Sequence, residues 1–155
     1  GQYCVSNLSQ TINLLFGEVC GATPDGRLAG DPLSDNASPA GGRDISGPTA
    51  TVKSVSNIDQ LHTFDGTLFN LRFDPNGLEG ERGTEIIEGV VKTFFDHYGE
   101  HIQINVVDDA TLRKAMDNPE AYRGLVVRVA GYLAFFTDLD RNVQEDIIRR
   151  TAHSC

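Results

Sequence analysis

The chain has 155 residues, 39% of them hydrophobic, and a formal net charge of −9. This length suits one domain with a core of its own, and the excess of acidic residues argues against nucleic acid or an anionic membrane as a partner. No apolar run approaches the roughly 20 residues of a membrane-spanning helix.

The chain starts at Gly1 without an initiator methionine or a signal peptide. We interpret this start as that of a processed chain, an excised piece or the tail of a longer protein. Cys4, Cys20 and Cys155 do not have the spacing of a metal site. An odd number of cysteines without a disulfide framework favours a cytoplasmic location, and each is more simply explained as structural than as catalytic.

The first third of the chain is predicted to be mostly loop. Residues 11–17 are apolar and end on glycine, which fits a strand or a short helix. Residues 21–48 are rich in Gly, Pro, Asp and Ser, and this segment is too long for a simple connection, so it is either functional or packed against something. Within it, Arg27 and Arg43 are expected to bind carboxylates. Pro48 fits the first position of a helix.

The middle of the chain alternates strands with helices. Residues 66–73 are predicted to form a strand with Phe69, Leu71 and Phe73 on one face, followed by a turn at residues 74–77.

A charged loop at residues 79–83 is predicted to precede a helix that Thr84 caps and that runs to about His97. Its apolar stripe is predicted to consist of Ile86, Ile87, Val90, Val91, Phe94 and Phe95.

Residues 101–106 alternate between apolar and polar side chains, which predicts a strand with Gln103 and Asn105 on its polar face. Asp108 is predicted to cap the next helix, and Asp140 the last one.

Residues 126–134, Val-Val-Arg-Val-Ala-Gly-Tyr-Leu-Ala, are predicted to form a buried strand that stops at Gly131. Glycine has backbone freedom that no other residue has, so a plain strand ending in a turn would explain the run. Residues 132–136 are expected to be buried.

This stretch also resembles the signature of glycyl radical enzymes: aliphatic, any, Arg, aliphatic, small, Gly-Tyr, any, small. Residues 23–27, 101–107 and 139–151 resemble three further blocks of the family, in the family's order. The resemblance implies that Gly131 carries a stored radical and that Arg128, Val129, Ala130 and Tyr132 complete the radical-loop motif. Glycine suits this role because a Cα radical is stabilised when it flattens between the amide nitrogen and the carbonyl group, which a side chain would hinder.

The fold implied by the resemblance is α/β, namely the C-terminal part of a ten-stranded α/β barrel ending in the glycine radical domain. Residues 1–107 are predicted to be the barrel segment and residues 108–155 the radical domain. Gln103 and Asn105 are then candidate barrel-lining residues.

The resemblance also implies the chemistry and the partners. A radical S-adenosylmethionine activating enzyme removes a hydrogen atom from the glycine, and the glycyl radical generates a thiyl radical on a cysteine, which attacks a small-molecule substrate. None of the three cysteines here has the family's catalytic context, so we expect that cysteine in the remainder of the barrel, outside this chain. No bound cofactor and no metal are expected, and the protein is expected to be an oligomer of anaerobic metabolism that is sensitive to oxygen.

Three hypotheses remain from the sequence. The chain is a piece or subunit of a glycyl radical lyase, or a spare-part protein that repairs oxygen-cleaved pyruvate formate-lyase, or a catalytically silent assembly module. The block at residues 23–27 favours the first. The local sequences at residues 47–50 and 129–132 look closer to the dehydratase and amine-lyase branches than to pyruvate formate-lyase itself.

Overall fold

The computed structural model describes residues 3–7 and 11–154, and it has the mixed α/β architecture that the sequence predicts. The α-helices of the described residues are Ile12–Val19 (α1), Pro48–Val55 (α2), Gly80–Asp96 (α3), Asp109–Asp117 (α4) and Arg141–Arg149 (α5). The strands are Phe69–Phe73 (β1), Ile102–Val106 (β2), Val126–Arg128 (β3), Leu133–Phe135 (β4) and Ala152–His153 (β5). Short 3-10 helices occur at Pro75–Leu78, Pro119–Tyr122 and Phe136–Asp138.

A parallel sheet in the order β2-β1-β5 forms the centre of the molecule. Strand β1 pairs along its whole length with β2, from Phe69 with Ile102 to Phe73 with Val106. All five residues of β1 are buried, as expected for the middle strand of a parallel sheet. The ten-stranded barrel remains a prediction, because the described residues contribute only three strands to this sheet.

Strand β5 brings the end of the described chain back to the centre of the sheet. Arg72, whose side chain is 1% exposed, strengthens this junction. Its guanidinium donates to the Arg150 and Ile148 carbonyls, each at 3.0 Å, and pairs with Asp109. A buried guanidinium is stable only when its donors find acceptors, and here two of them, the Ile148 and Arg150 carbonyls, come from the far end of the chain.

Helices α2 and α3 cover one face of the sheet. Their apolar side chains join those of β1 in a first core cluster, whose buried members are Ala37, Val52, Val55, Phe69, Leu71, Phe73, Val90 and Phe94. Pro48 starts α2 as predicted. In contrast, Phe95 of the predicted stripe on α3 is 47% exposed.

The predicted start of α3 at Thr84 is wrong, because the helix already begins at Gly80 with Glu79 as its N-cap. Residues 80–83, which were predicted to lie in a charged loop, form the first turn of the helix. Gly83 makes this start possible, since a Cβ at this position would lie 2.0 Å from the Leu78 carbonyl oxygen. The close approach of the preceding backbone therefore requires glycine.

A second core cluster lies between α4, α5 and the antiparallel pair β3 and β4. Its buried members are Val107, Leu112, Ala115, Val127, Val129, Phe136, Ile147 and Ile148. Asp108 caps α4 as predicted, because its carboxylate accepts from the Thr111 N–H at 2.7 Å. Asp140 occupies the cap position of α5 without a side-chain hydrogen bond to the helix. The proposed division of the chain after residue 107 remains a prediction.

The segment at residues 11–17, which fits a strand or a helix by its sequence, belongs to helix α1. The long loop that follows is packed against the rest of the molecule. Arg27 is buried, but its guanidinium donates to the carbonyls of Gly21, Leu28 and Asp31.

Arg43 likewise donates to the Gly26 carbonyl. The expected pairing of Arg27 and Arg43 with carboxylates is therefore wrong. Each arginine instead satisfies backbone carbonyls that a loop without regular structure leaves unpaired.

No helix of the described residues is long and apolar enough to cross a membrane.

Candidate functional site

Strands β3 and β4 form a hairpin, and residues 129–132, here called the glycine loop, connect them. The strands pair antiparallel, with Val126 opposite Phe135 and Arg128 opposite Leu133. The Val129 N–H donates to the Tyr132 carbonyl at 2.9 Å and closes the loop. The strand ends before Gly131 as predicted, but it covers only Val126–Arg128 and only Val127 in it is buried, so the prediction of a buried strand is wrong.

Gly131 allows this reversal. Its φ is +87°, in the region that side chains disfavour. A Cβ added to Gly131 would also lie 3.2 Å from Leu68 Cδ1, closer than ordinary contact. Both observations make glycine the residue that fits this position.

The glycine loop is half buried. Val129 and Ala130 are fully buried, while Gly131 is exposed and Tyr132 is 44% exposed. Leu133 and Phe135 also expose about half of their surface, at 56% and 49%. The prediction that residues 132–136 are buried is thus wrong except for the buried Phe136 and the half-buried Ala134, because the hairpin turns alternate side chains away from the second core cluster.

Strand β2 binds the backbone of the hairpin through its two buried amide side chains. Asn105 Nδ2 donates to the Arg128 carbonyl and Asn105 Oδ1 accepts from the Arg128 N–H, both at 2.8 Å. Gln103 Oε1 accepts from the Gly131 N–H at 3.2 Å. The candidate barrel-lining residues therefore lie directly against the radical-loop motif predicted from the sequence.

A second pair of side chains binds the Val129 carbonyl. Arg150 Nη1 donates to this oxygen at 2.7 Å, and Asn70 Nδ2 donates to it at 3.4 Å. The carbonyl therefore faces two donors, one from α5's end and one from the central strand β1. Together with Asn105 and Gln103, these contacts fix the backbone on both sides of Ala130.

A buried charge network supports these donors. Arg150 Nη2 lies 3.0 Å from Asp35 Oδ2 and 3.4 Å from Asp146 Oδ2. Burial raises the pKa of Asp146 above its usual value, and the Asp35 charge adds to this effect, whereas Arg150 opposes it. The Arg150 guanidinium thus contacts two carboxylates and one backbone carbonyl.

A cavity of about 130 Å³ lies beside the charge network. Its polar lining includes Asp31, Asp35, Asn70 and Arg150. The cavity separates part of the long loop from helix α5.

Sequence reasoning missed Asp35, Asn70 and Arg150 as parts of this site. Arg150 lies in the family-like block at residues 139–151, and Asn70 is a polar position inside an apolar strand. Both signals point to residues with a special environment. Nothing in the sequence distinguishes Asp35 from the other aspartates of its loop.

Neither of the two described cysteines lines the cavity beside the charge network. Cys4 is exposed and Cys20 is half buried, while Cys155 lies outside the described residues. Among the described residues, no cluster of His, Cys, Asp and Glu could hold a metal ion.

Known proteins resemble this chain in both sequence and structure. A sequence model of the family described as "Glycine radical" matches residues 33–137. Trans-4-hydroxy-L-proline dehydratase of Clostridioides difficile is 44% identical over 151 residues, which cover 97% of this chain and 19% of that enzyme. Isethionate sulfite-lyase of Bilophila wadsworthia is 43% identical over 145 residues, covering 92% of this chain and 18% of that enzyme.

A solved structure agrees with these relatives. The glycerol-bound form of the B12-independent glycerol dehydratase from Clostridium butyricum matches with a TM-score of 0.95 and 46% identity, covering 100% of this chain and 20% of that one. The chain thus spans about a fifth of the length of the proteins it resembles. The match over two thirds of its residues, together with relatives that are dehydratases and lyases, shows that the chain belongs to the glycine radical family.

Proposed function

We propose that this chain is the radical-bearing part of a glycyl radical lyase or dehydratase, with the radical stored on the Cα of Gly131. The observation that carries this proposal is the position of Gly131. It has no side chain, its φ is +87°, and it lies in an exposed turn whose backbone is bound on both sides by buried side chains.

The geometry suits a radical built from backbone. Loss of the Gly131 Cα hydrogen atom leaves an unpaired electron that spreads onto the neighbouring amide nitrogen and carbonyl. Gln103 accepts from the Gly131 N–H, which holds this peptide group in one orientation. The contribution of the protein is to orient the radical and to exclude competing reactions, as for any radical cofactor.

Installation of the radical requires a partner. In this proposal a radical S-adenosylmethionine activating enzyme removes the hydrogen atom. The exposure of Gly131 in the chain by itself supports access by such a partner. No bound cofactor is then needed in this chain.

The step after storage uses a cysteine outside this chain. The glycyl radical takes the hydrogen atom of that thiol, which regenerates glycine and leaves a thiyl radical to attack the substrate. Cys4 and Cys20 have neither the family's sequence context nor a described contact with the glycine loop. The remaining four-fifths of the relatives' length supports a missing barrel that carries this cysteine.

The names of the relatives support a substrate class. Three of the matched proteins are named for, or were solved with, trans-4-hydroxy-L-proline, glycerol and 1,2-propanediol, which all carry hydroxyl groups. We therefore propose a small hydroxylated substrate and an elimination reaction in the assembled enzyme.

The spare-part hypothesis receives less support. Dehydratase relatives match 97% to 99% of this chain, including the loop before β1, whereas a spare part is expected to resemble mainly the last two blocks. The mass of the native complex separates the two, because a spare part binds to a truncated enzyme.

Electron paramagnetic resonance tests the proposed radical. After anaerobic activation the wild-type protein is expected to give an organic radical signal, and Gly131→Ala is expected to give none. Deuteration of glycine at Cα should remove the main hyperfine splitting of the signal. A signal of full strength in Gly131→Ala would refute the assignment, and an activated wild type without any signal would favour the silent assembly module.

A further inference from the structure

The Asp35 carboxylate contacts both side chains that donate hydrogen bonds to the Val129 carbonyl. Asp35 Oδ2 accepts from Asn70 Nδ2 at 2.6 Å and lies 3.0 Å from Arg150 Nη2. The same two side chains donate to Val129 O. Asp35 is therefore linked to the glycine loop through the two side chains, Asn70 and Arg150, that bind the Val129 carbonyl.

The orientation of Asn70 depends on this carboxylate. Its amide nitrogen faces two acceptors, Asp35 and the Val129 carbonyl, while its Oδ1 is buried without a hydrogen-bond partner in the described structure. An unpaired buried oxygen is unfavourable, and the reverse orientation would place that oxygen against two others. The charge of Asp35 thus keeps the Asn70 amide pointing at the glycine loop.

The position of Arg150 also depends on Asp35. Asp146 lies one helical turn before Arg150 and attracts the same guanidinium at 3.4 Å. Without the charge of Asp35, the guanidinium has a single carboxylate partner on its own helix. We expect it to shift towards Asp146 and to weaken its bond with Val129.

Strand β1 fixes the segment that carries Asp35. The Ala37 N–H donates to the Leu68 carbonyl at 2.9 Å, and Ser38 Oγ accepts from the Asn70 N–H at 2.8 Å. Asp35 is therefore held next to the central strand and is itself 6% exposed.

We propose that Asp35 is a positioning residue for the glycine loop, acting through Asn70 and Arg150. This inference rests on the proposed function of Gly131 for its role in radical storage. It assigns a task to the long loop before α2, which is to hold the radical-bearing hairpin against the sheet.

Hydrogen exchange in the native protein tests this proposal. Asp35→Asn keeps the size of the side chain and removes its charge. Exchange across residues 127–136 is expected to become about tenfold faster, because hydrogen bonds to a charged acceptor are stronger than those to a neutral one. Exchange in helix α3, which belongs to the first core cluster and not to the second cluster beneath the hairpin, should stay unchanged.

Two further variants make the test specific. Asp31→Asn removes a carboxylate that lines the same cavity but bonds to the Leu28 N–H of its own loop, and it should leave residues 127–136 unchanged. Arg150→Lys keeps the positive charge, but an ammonium group lacks the two separate nitrogens with which the guanidinium binds Asp35 and the Val129 carbonyl. This variant should reproduce the effect of Asp35→Asn.

The radical provides a second readout. In activated samples the signal of Asp35→Asn is expected to decay faster than that of the wild type, because the loop opens more often. Equal exchange in Asp35→Asn and wild type, or equal acceleration in α3 and the hairpin, would overturn the positioning role. A wild type that gives no radical would instead refute the proposed function and leave the exchange result standing.

Discussion

Asn105 binds the backbone of Arg128 in the way a neighbouring strand would, with one N–H and one carbonyl bonded at 2.8 Å each. A side-chain amide has the same donor and acceptor as a peptide group. Strand β2 therefore extends its pairing to the hairpin without a further strand between them. This contact positions the start of the glycine loop relative to the central sheet.

Asn105→Ala tests the importance of this contact. The substitution leaves the Arg128 N–H and carbonyl without their partner, and we expect the free energy of unfolding to fall by about 2 kcal/mol. Urea denaturation of the intact protein measures the change. Asn57→Ala is the control, because Asn57 is exposed and its side chain donates to the nearby Lys53 carbonyl at 3.0 Å. An equal fall in the free energy of unfolding of both variants would show that the Asn105 contact stabilises the fold no more than the exposed Asn57 side chain does.

Gly83 and Gly89, two of the three glycines of α3, should respond in opposite ways to alanine. Gly89 has open space where a Cβ would stand, so Gly89→Ala should stabilise the helix by up to about 1 kcal/mol. Gly83→Ala places its Cβ 2.0 Å from the Leu78 carbonyl oxygen and should cost about 2 kcal/mol or more. Thermal unfolding of both variants gives the comparison. Stabilisation by both would mean that α3 does not begin at Gly80.

The helix caps at Asp108 and Asp140 should also differ. Asp108→Ala removes the bond to the Thr111 N–H and should cost about 1 kcal/mol, whereas Asp140→Ala should cost less because its side chain makes no such bond. Unfolding free energies of the two variants at neutral pH test this difference.

The contribution of the Asp108 cap should depend on pH. The hydrogen bonds from the backbone and side chain of Thr111 lower the pKa of Asp108 below its ordinary value of 3.8. An acid with a lowered pKa stabilises the fold above 3.8, and this stability is lost as the pH falls through the lower folded value. The difference between wild type and Asp108→Ala should therefore shrink only in that acid range. A difference that already disappears at neutral pH would contradict the assignment of the cap.

Oxygen is expected to cut the activated chain at Gly131. A carbon radical adds dioxygen readily, and the resulting peroxyl group breaks the backbone, which leaves a fragment ending near Ala130. Mass spectrometry of activated and unactivated samples after exposure to air tests this. Gly131→Ala serves as a second control, and a cut at the same place in all three samples would indicate ordinary proteolysis of an exposed turn.

The sequence predicts regular elements well where one signal dominates. The alternation of Phe69, Leu71 and Phe73 predicts strand β1, and Pro48 predicts the start of α2. Asp108 predicts the start of α4 because a carboxylate three residues before a free N–H is a local arrangement. These features depend on neighbours along the chain.

The errors come from contacts that the order of residue types does not reveal. The sequence predicts a strand that stops at Gly131 but not the return strand β4, because the reversal depends on bonds from Gln103, Asn70 and Arg150. Similarly, the start of α3 depends on how closely Gly83 approaches Leu78. Residue type alone does not encode either approach.

Arg72 has a consequence for the order in which the molecule folds. Its guanidinium donates a hydrogen bond to the carbonyl of Arg150, 78 positions later in the chain. Closing a flexible loop of that length costs roughly 4 kcal/mol of chain entropy, apart from a constant term. Such a contact is favourable only after nearer elements have shortened the effective distance between its ends. We therefore expect it to form after the rate-limiting step, so that a substitution of Arg72 speeds unfolding while the folding rate stays nearly the same.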